Sequence, residues 1–232
     1  MKVCAAAPFS AACATSCDAR WRAHDLVRLQ KLDSLADEPA WVRDAFERAP
    51  YAVVRRALAA EGFIAVGVRG ADRAQRYGTW ARADDIVSVV SPESLAQSQT
   101  VAGRDRLPSF AALNSLQCDS NGLLARFIWG PTGSAGFELA TRVPTVNESS
   151  DLDLLIRAPE PLALELAREV LEQLRTLAER IGMRIDAQLE TPAGGVALAE
   201  WAAGKTRVLA RHASGPRLIA DPWAVVAHDG TV

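Results

Sequence analysis

The sequence predicts an α+β protein in which a smaller β-rich domain precedes a mixed sheet with helices in the C-terminal half. Short runs rich in β-branched and aromatic residues follow one another between Tyr51 and Val90. The second half alternates strand-like and helix-like segments. Its clearest helix, within residues 161–182, repeats apolar residues at the spacing that one buried helix face requires. These patterns place most helices after the β-rich part.

Composition describes an ordinary soluble globular chain. Its 232 residues are 49% apolar and carry a formal net charge of −2. The sequence pI of about 6.0 argues against a protein that binds nucleic acid mainly by neutralising phosphates. No apolar run approaches the roughly 18 to 20 residues needed to span a bilayer. We therefore expect no nucleic-acid partner and no membrane segment.

The cysteines and the alanine-rich N-terminus predict a cytoplasmic protein with reduced thiols. Cys4, Cys13 and Cys17 lack paired metal-ligand spacing and an accompanying histidine cluster, and Cys118 stands alone. The N-terminal apolar stretch resembles a secretion signal only in its alanine content, since Pro8 interrupts it. Residues 1–20 are predicted to be a disordered extension.

The remaining chain divides at a polar stretch that contains Gly and Pro, which predicts a β-rich domain at 21–104 and a second domain at 105–232. The N-terminal domain is predicted to contain a helix at 39–48 and strands at 51–56, 63–70 and 85–90. The C-terminal domain is predicted to contain a helix at 109–117, a strand that ends at Gly130, a helix from about Ser134, a strand over DLDLLI, the helix within 161–182 and a strand over 183–190.

Two carboxylates lie on one face of an apolar strand. In DLDLLI, Asp151 and Asp153 are two residues apart, so they point the same way while Leu152 and Leu154 face the other way. Two anions this close repel, and Mg²⁺ prefers carboxylate oxygens. The pair therefore predicts a Mg²⁺ site.

Two further features complete the pattern expected for phosphoryl or nucleotidyl transfer. Asp186 is the predicted third acid on a later strand, with Glu190 held in reserve on the same face. Gly133 allows a close backbone approach to a phosphate, and Ser134 near a helix start can donate hydrogen bonds. A lone acid-x-acid pair is more often a solvated strand edge; the combination favours a metal-dependent transferase.

The residues also resemble a known family. The string WGPTGSAGFELAT, followed by SDLDLLIRAP, resembles the nucleotidyltransferase superfamily of the DNA polymerase β type. With VGVRGADRAQR upstream and IDAQLETPAGGVALAEWA downstream, the chain looks more narrowly like the phosphoribosyl-dephospho-CoA transferases of malonate decarboxylase, also called malonate decarboxylase holo-acyl-carrier-protein synthases. The resemblance extends from about Ala23 to Asp221. One departure from the wider superfamily is the long gap between Ser134 and Asp151, filled by RVPTVNESS.

The resemblance implies a reaction and roles. Such enzymes transfer phosphoribosyl-dephospho-CoA from 2′-(5″-triphosphoribosyl)-3′-dephospho-CoA to a serine of the malonate decarboxylase acyl-carrier subunit, releasing diphosphate. Asp151 and Asp153 match the acid pair that binds Mg²⁺, with Asp186 as third ligand, and Gly133 and Ser134 match the phosphate-holding turn. The carrier's serine oxygen is expected to attack the α-phosphorus in line, with the third acid accepting its proton.

The remaining charge of the triphosphate predicts cationic partners. Arg69, Arg73 and Arg76 follow a strand and form the first choice, with Lys205 as another. The alternative is a solvated face whose arginines pair with neighbouring aspartates. The sequence allows two roles for His24: a catalytic base or ligand, or a hydrogen-bonded structural residue.

Three other functions remain open. The same aspartates would serve a transferase that adenylylates a small hydroxyl compound or a protein from ATP. The citrate lyase branch attaches the same group to a different carrier. A non-catalytic nucleotide-binding module is the alternative outside enzymes; loss of one metal-binding acid would signal it, and the sequence keeps the pair.

Overall fold

The computed structural model describes residues 2–14, 20–35 and 38–224. Within them the chain forms two six-stranded sheets and six α-helices, which confirms the predicted α+β class. The first sheet contains β1 (Lys2–Cys4), β2 (Leu26–Leu29), β3 (Tyr51–Val54), β4 (Phe63–Arg69), β5 (Arg76–Arg82) and β6 (Ile86–Val90). The second contains β7 (Ile128–Pro131), β8 (Leu152–Arg157), β9 (Ile185–Thr191), β10 (Gly194–Ala197), β11 (Val208–His212) and β12 (Gly215–Ile219). The helices are α1 (Trp41–Arg48), α2 (Pro92–Leu95), α3 (Pro108–Cys118), α4 (Gly133–Thr141), α5 (Leu164–Ile181) and α6 (Leu198–Ala202).

The first sheet has the strand order β1-β5-β4-β3-β2-β6. The predicted neighbours β3 and β4 pair in antiparallel register, with Val53 opposite Gly67. The third predicted strand, β6, instead pairs with β2 at the other side of the sheet. All pairs in this sheet are antiparallel except β1 with β5.

Strand β5 is a finding that the sequence analysis did not predict. Its sequence RYGTWAR carries arginines at both ends, a composition that does not indicate a buried strand. In the structure it pairs with β4 along its whole length, from Phe63 opposite Arg82 to Arg69 opposite Arg76. Tyr77 is buried, so the strand contributes to the core despite its charged ends.

The N-terminal residues have a partner within the sheet. Residues 1–20 were expected to form a disordered extension, whereas Lys2–Cys4 forms β1 and pairs in parallel with β5. Residues 15–19, which include Cys17, lie outside the described residues. The proposed division into domains at residues 104 and 105 stays a prediction.

The second sheet has the order β12-β11-β10-β9-β8-β7 and is mixed, as predicted. Only β8 and β9 pair in parallel; the other neighbours are antiparallel. Helix α5 is the crossover between the parallel strands, and its buried stripe includes Val170, Leu174 and Leu177. Gly182 ends the helix with φ +77°, the left-handed conformation that glycine adopts readily.

Strands β10 to β12 were not predicted. They are four or five residues long, and Gly194 and Gly215 stand at their turns with φ near +115°. On β12 the central residues are exposed, so no buried stripe distinguishes the strand in the sequence.

Charged residues join the two sheets. Arg157 of β8 is 8% exposed and donates a 3.1 Å hydrogen bond to Glu93 of α2, the helix that follows β6 in the chain. Its Nη2 also lies 3.5 Å from Asp25, whose pKa is raised chiefly by burial. Residues of both sheets, including predicted site residues, line one shared cavity.

Candidate active site

Asp151 and Asp153 lie at the start of β8. Leu152 and Leu154 are buried, at 0% and 1% exposure, so the alternation of the strand turns the two aspartates to the opposite face. The Thr132 amide donates a 2.8 Å hydrogen bond to the backbone oxygen of Asp153, which joins the strand to the turn before α4. The structure thus brings the predicted acid pair and the predicted Gly-Ser turn together.

Asp186 is the acid that the fold aligns with Asp153. In the parallel β8–β9 pair these two residues are register partners. Glu190, the reserve candidate, instead aligns with Arg157 and forms an ion pair with Arg56. The sheet therefore separates two acids that the sequence left as alternatives, and it places Asp186 beside the pair.

The acids repel one another and attract arginines. Burial, Asp186 and Asp151, in that order, raise the pKa of Asp153. Arg73 donates a 2.8 Å hydrogen bond to Asp151, and the pKa of Arg73 is raised by that contact. Arg184 makes a short hydrogen bond to Asp186. Asp153 is thus a partly buried carboxylate with two like charges near it.

Gly133 packs directly against the Asp153 carboxylate. Its φ is +59°, and a Cβ at this position would collide with the Asp153 side chain. Glycine therefore serves both the left-handed turn and the close approach. Ser134 follows in the first turn of α4 and is 8% exposed.

The predicted arginines face the acids from the first sheet. Arg69 and Arg76 are register partners on β4 and β5, and Arg73 lies in the turn between them. Burial, with Arg76 and Arg73 nearby, lowers the pKa of Arg69 to about 10, and burial lowers that of Arg76. All three line a small cavity of about 110 Å³ with a polar set of residues. That set includes Ser134, Thr145, Asn147, Ser149, Ser150, Asp151 and Asp153.

Lys205 lies elsewhere. It is exposed in the segment between α6 and β11 and lines neither the small cavity nor the larger one beside it. The structure therefore brings three of the four predicted cationic residues to the acids and leaves Lys205 apart.

A larger cavity of about 800 Å³ lies between the two sheets. Asp153 and Asp186 line it from the second sheet, and Arg69 and Arg76 line it from the first. Its volume is within the range of sites for small molecules and cofactors. No sequence signal pointed to the rest of its lining, because those residues come from strands far apart in the chain. They include Arg55, Gly67, Gly78, Gln188 and Arg211.

His24 also lines this cavity, and the structure gives it hydrogen-bond partners. Its Nε2 lies 3.1 Å from Arg56 Nη1 and 3.0 Å from Gln188 Nε2. An arginine only donates, so Nε2 is the acceptor and the ring proton is on Nδ1. Burial and the charges of Arg56, Arg157 and Arg211 lower the pKa of His24 to about 3.

The loop RVPTVNESS, which separates Ser134 from Asp151, is held by a residue that sequence reasoning missed. Glu138 of α4 is 1% exposed and accepts hydrogen bonds from the amides of Thr145 (2.6 Å) and Val146 (2.8 Å). Arg104 pairs with the same carboxylate. Burial opposes ionisation, but the Arg104 hydrogen bond and the two amides hold the pKa of Glu138 below its ordinary value. An acidic residue within the otherwise small and apolar run GSAGFELA was the available signal.

The three acidic side chains are suitable ligands for a hard divalent cation. Asp151, Asp153 and Asp186 offer only carboxylate oxygens, and the mutual repulsion that raises the pKa of Asp153 is the kind that a cation relieves. In the described part of the chain, no three acidic, histidine or cysteine side chains are gathered as a formed metal site. Arg73 and Arg184 contact Asp151 and Asp186 instead.

The fold and site define an α+β protein with a cavity between two sheets, lined by carboxylates on one side and arginines on the other. That arrangement suits a ligand with several phosphates. The chain belongs to the phosphoribosyl-dephospho-CoA transferases, a family of transferase enzymes, which confirms the narrower of the two resemblances seen in the motifs. Residues 22–92 match the model of the phosphoribosyl-dephospho-CoA transferase MdcG N-terminal domain, and residues 94–222 match that of the C-terminal domain.

Curated relatives carry the same name. A phosphoribosyl-dephospho-CoA transferase of Pseudomonas putida is 44% identical over 208 residues, which cover 88% of this chain and 96% of the relative. Proteins of the same name from Azotobacter vinelandii (43% identity, 88% and 95% coverage) and Pseudomonas aeruginosa PAO1 (44%, 81% and 86%) are similar as well. No solved structure matches the chain significantly. Among the described residues, no helix is both long and apolar enough to cross a membrane.

Proposed function

We propose that this protein transfers the phosphoribosyl-dephospho-CoA group from 2′-(5″-triphosphoribosyl)-3′-dephospho-CoA to a serine of the malonate decarboxylase acyl-carrier subunit, releasing diphosphate. The observation that carries the proposal is the alignment of Asp153 with Asp186 across a cavity from Arg69 and Arg76, in a chain of this family. The arrangement pairs carboxylates for a cation with arginines for phosphates, which is what transfer from a triphosphate requires.

The small cavity is the proposed site of the triphosphate. Arg69, Arg73 and Arg76 supply positive charge there, and Ser134 supplies a hydroxyl near the N-terminus of α4. Guanidinium groups bind phosphate oxygens through paired, charge-assisted hydrogen bonds. The larger cavity, which shares Arg69, Arg76 and Asp153 with the small one, then accommodates the adjoining part of the donor.

Asp151, Asp153 and Asp186 are the proposed Mg²⁺ ligands. When bound, Mg²⁺ neutralises phosphate charge and polarises the phosphorus centre. Gly133 packs against the Asp153 carboxylate at the start of α4, where a side chain would collide with this proposed ligand. Arg73 and Arg184 contact Asp151 and Asp186 in the free protein, so donor and cation binding requires that these contacts exchange.

The acceptor serine enters from the exposed side of the acids. Asp186 has 51% side-chain exposure, compared with 12% for Asp151, so it is the acid most open to a protein substrate. Asp186 accepts the serine proton as the serine oxygen forms its bond to the α-phosphorus. The bond from that phosphorus to the bridging oxygen breaks, diphosphate leaves, and the carrier retains a phosphodiester.

The test is an incubation of the protein with Mg²⁺, apo carrier subunit and either the triphosphoribosyl donor or ATP, followed by intact mass analysis of the carrier. A carrier whose acceptor serine is replaced by alanine is the control. The proposal predicts one phosphoribosyl-dephospho-CoA group per carrier with the donor and no change with ATP or the alanine carrier. A mass gain of adenylate from ATP would instead indicate an adenylyltransferase, and a gain only on the citrate lyase carrier would reassign the acceptor.

A further inference from the structure

Arg55 lines the 800 Å³ cavity but has no role in the proposed transfer reaction. It follows β3, and its side chain extends over the first sheet at Gly67 and Gly78, which are register partners on β4 and β5. A Cβ on Gly78 would collide with the guanidinium, and one on Gly67 would lie 3.4 Å from Arg55 Cδ. The paired glycines thus make the space in which this side chain lies.

In the described part of the chain, no neighbouring carboxylate compensates the charge of Arg55. Among those residues its Nη1 is buried without a hydrogen-bond partner, and its Nη2 has the Cys4 sulfur at 3.8 Å as its one partner. By contrast, Arg56 pairs with Glu190, and Arg73 pairs with Asp151. Within residues 2–14, 20–35 and 38–224, Arg55 forms no ion pair. A partly buried guanidinium in this condition favours an anion from outside the chain.

Arg55 also marks a boundary between two cavities. It lines the 800 Å³ cavity that contains Asp153 and Asp186, and it lines a second cavity of about 370 Å³. The second cavity lies beside Trp21, Phe63 and Pro192, and neither Asp151, Asp153 nor Asp186 lines it. An extended ligand that occupies both cavities passes Arg55.

This inference rests on the proposed function, because the donor of that reaction carries two separate groups of phosphates. Its triphosphate is at one end, and a diphosphate lies in the middle, between adenosine and pantetheine. We propose that Arg55 binds this internal diphosphate, with adenosine in the larger cavity and the pantetheine arm in the 370 Å³ cavity. Arg69, Arg73 and Arg76 then bind the triphosphate, so the triphosphate and the internal diphosphate are bound by different arginines.

Calorimetric titration with two probes tests this assignment. Dephospho-CoA carries the internal diphosphate alone, and inorganic tripolyphosphate represents the triphosphate alone. We expect Arg55→Ala to weaken dephospho-CoA binding about 10- to 100-fold, the range for loss of a charged hydrogen-bonding partner, and to change tripolyphosphate binding less than about 2-fold. Arg73→Ala is the matched arginine variant and should show the opposite pattern.

Two further variants separate the diphosphate from the pantetheine assignment. Gly78→Ala displaces the guanidinium without removing its charge, so it should also weaken dephospho-CoA binding. Ala213 lies in a turn that lines the 370 Å³ cavity, so Ala213→Trp narrows that cavity. This variant should weaken the binding of dephospho-CoA but not the binding of ADP, which lacks pantetheine. Thermal melting confirms that each variant is folded.

The outcomes distinguish this inference from the proposed function. If the wild type binds dephospho-CoA and Arg55→Ala binds it equally well, the Arg55 assignment is wrong while the proposed function stands. If Ala213→Trp weakens the binding of ADP and of dephospho-CoA equally, the placement of pantetheine in the 370 Å³ cavity is wrong. If the wild type binds tripolyphosphate but no dephospho-CoA, both the inference and the proposed donor fail.

Discussion

Asp153 and Asp186 are register partners on the two parallel strands of the second sheet, although 32 positions separate them in the chain. Helix α5 makes the crossover that brings them side by side. Burial is the largest cause that raises the pKa of Asp153. The charge of Asp186 is the second, ahead of the charge of Asp151. Two carboxylates are thus held together at a cost in stability, as is common for sites that bind cations.

The first prediction concerns Asp153→Asn. An amide of similar shape removes the repulsion from Asp186 and Asp151, so the free energy of unfolding should rise by about 0.5–2 kcal/mol. Transfer to the carrier should fall on the order of 1,000-fold or more, because a proposed cation ligand is lost. Chemical denaturation and carrier mass analysis measure the two effects. Glu190→Gln, on the same strand face as Asp186, is the control and should lose stability through Arg56 instead. Destabilisation by Asp153→Asn would contradict the argument.

The second prediction concerns Arg73. Its side chain is 73% exposed, so the ion pair with Asp151 should contribute less than about 1 kcal/mol to stability. Arg73→Ala should therefore leave the melting temperature almost unchanged while it raises the KM for the donor about 10-fold, through the lost contact with the triphosphate. Arg48→Ala, at the exposed end of α1, is the matched control and should change neither value. An unchanged KM would place Arg73 outside the donor site.

The third prediction concerns Glu138, which anchors the loop before Asp151. Glu138→Gln removes the charge that Arg104 and the amides of Thr145 and Val146 surround, so it should lower the free energy of unfolding by about 3 kcal/mol. Activity should fall as well, because the loop positions Asp151. Denaturant unfolding measures the loss, and Glu165→Gln on the exposed side of α5 should cost less than about 0.5 kcal/mol. Equal losses in the two variants would show that Glu138 does not anchor the loop.

The fourth prediction concerns pH. The pKa of His24 is about 3 in the folded protein, against an ordinary value of 6.5. Between these values the unfolded chain binds a proton that the folded protein does not, so acidification favours unfolding by at most about 1.4 kcal/mol per pH unit from this group. His24→Gln keeps an acceptor for Arg56 and Gln188 but does not titrate. Its stability should fall less steeply between pH 6.5 and 4.5 than that of the wild type.

Denaturant titrations at several pH values measure this slope. His212→Gln is the control, because it removes a histidine from the end of β11 and leaves His24 in place. A slope in His24→Gln identical to that of the wild type would show that His24 titrates normally.

The part of the fold that follows strong periodicity was predictable. The apolar stripe of α5 and the glycine that ends it predicted the helix. The alternation in DLDLLI and MRIDAQLE predicted the strands before and after it. The acids and the Gly-Ser turn are local strings, so they were found with their spacing. Which later acid joins the pair was not readable, because Asp186 and Glu190 share a strand face and only the register separates them.

The cavity between the sheets was not predictable from local patterns. Strand β5 was not predicted, and Arg69 and Arg76 are neighbours only through its pairing with β4. Arg55 gains its position from two glycines that pair across strands. Such contacts depend on the long-range arrangement of the sheets, which composition and periodicity do not encode.

The mass of the acyl-carrier subunit after a single turnover with Mg²⁺ and the triphosphoribosyl donor, compared between wild-type enzyme and Asp153→Asn, decides whether the aligned acids form the catalytic centre. We expect the wild type to add one phosphoribosyl-dephospho-CoA group and release one diphosphate per carrier, while the folded variant adds no detectable group in the time of one wild-type turnover. Transfer by Asp153→Asn at the wild-type rate would contradict the assignment of the aligned acids as the catalytic centre.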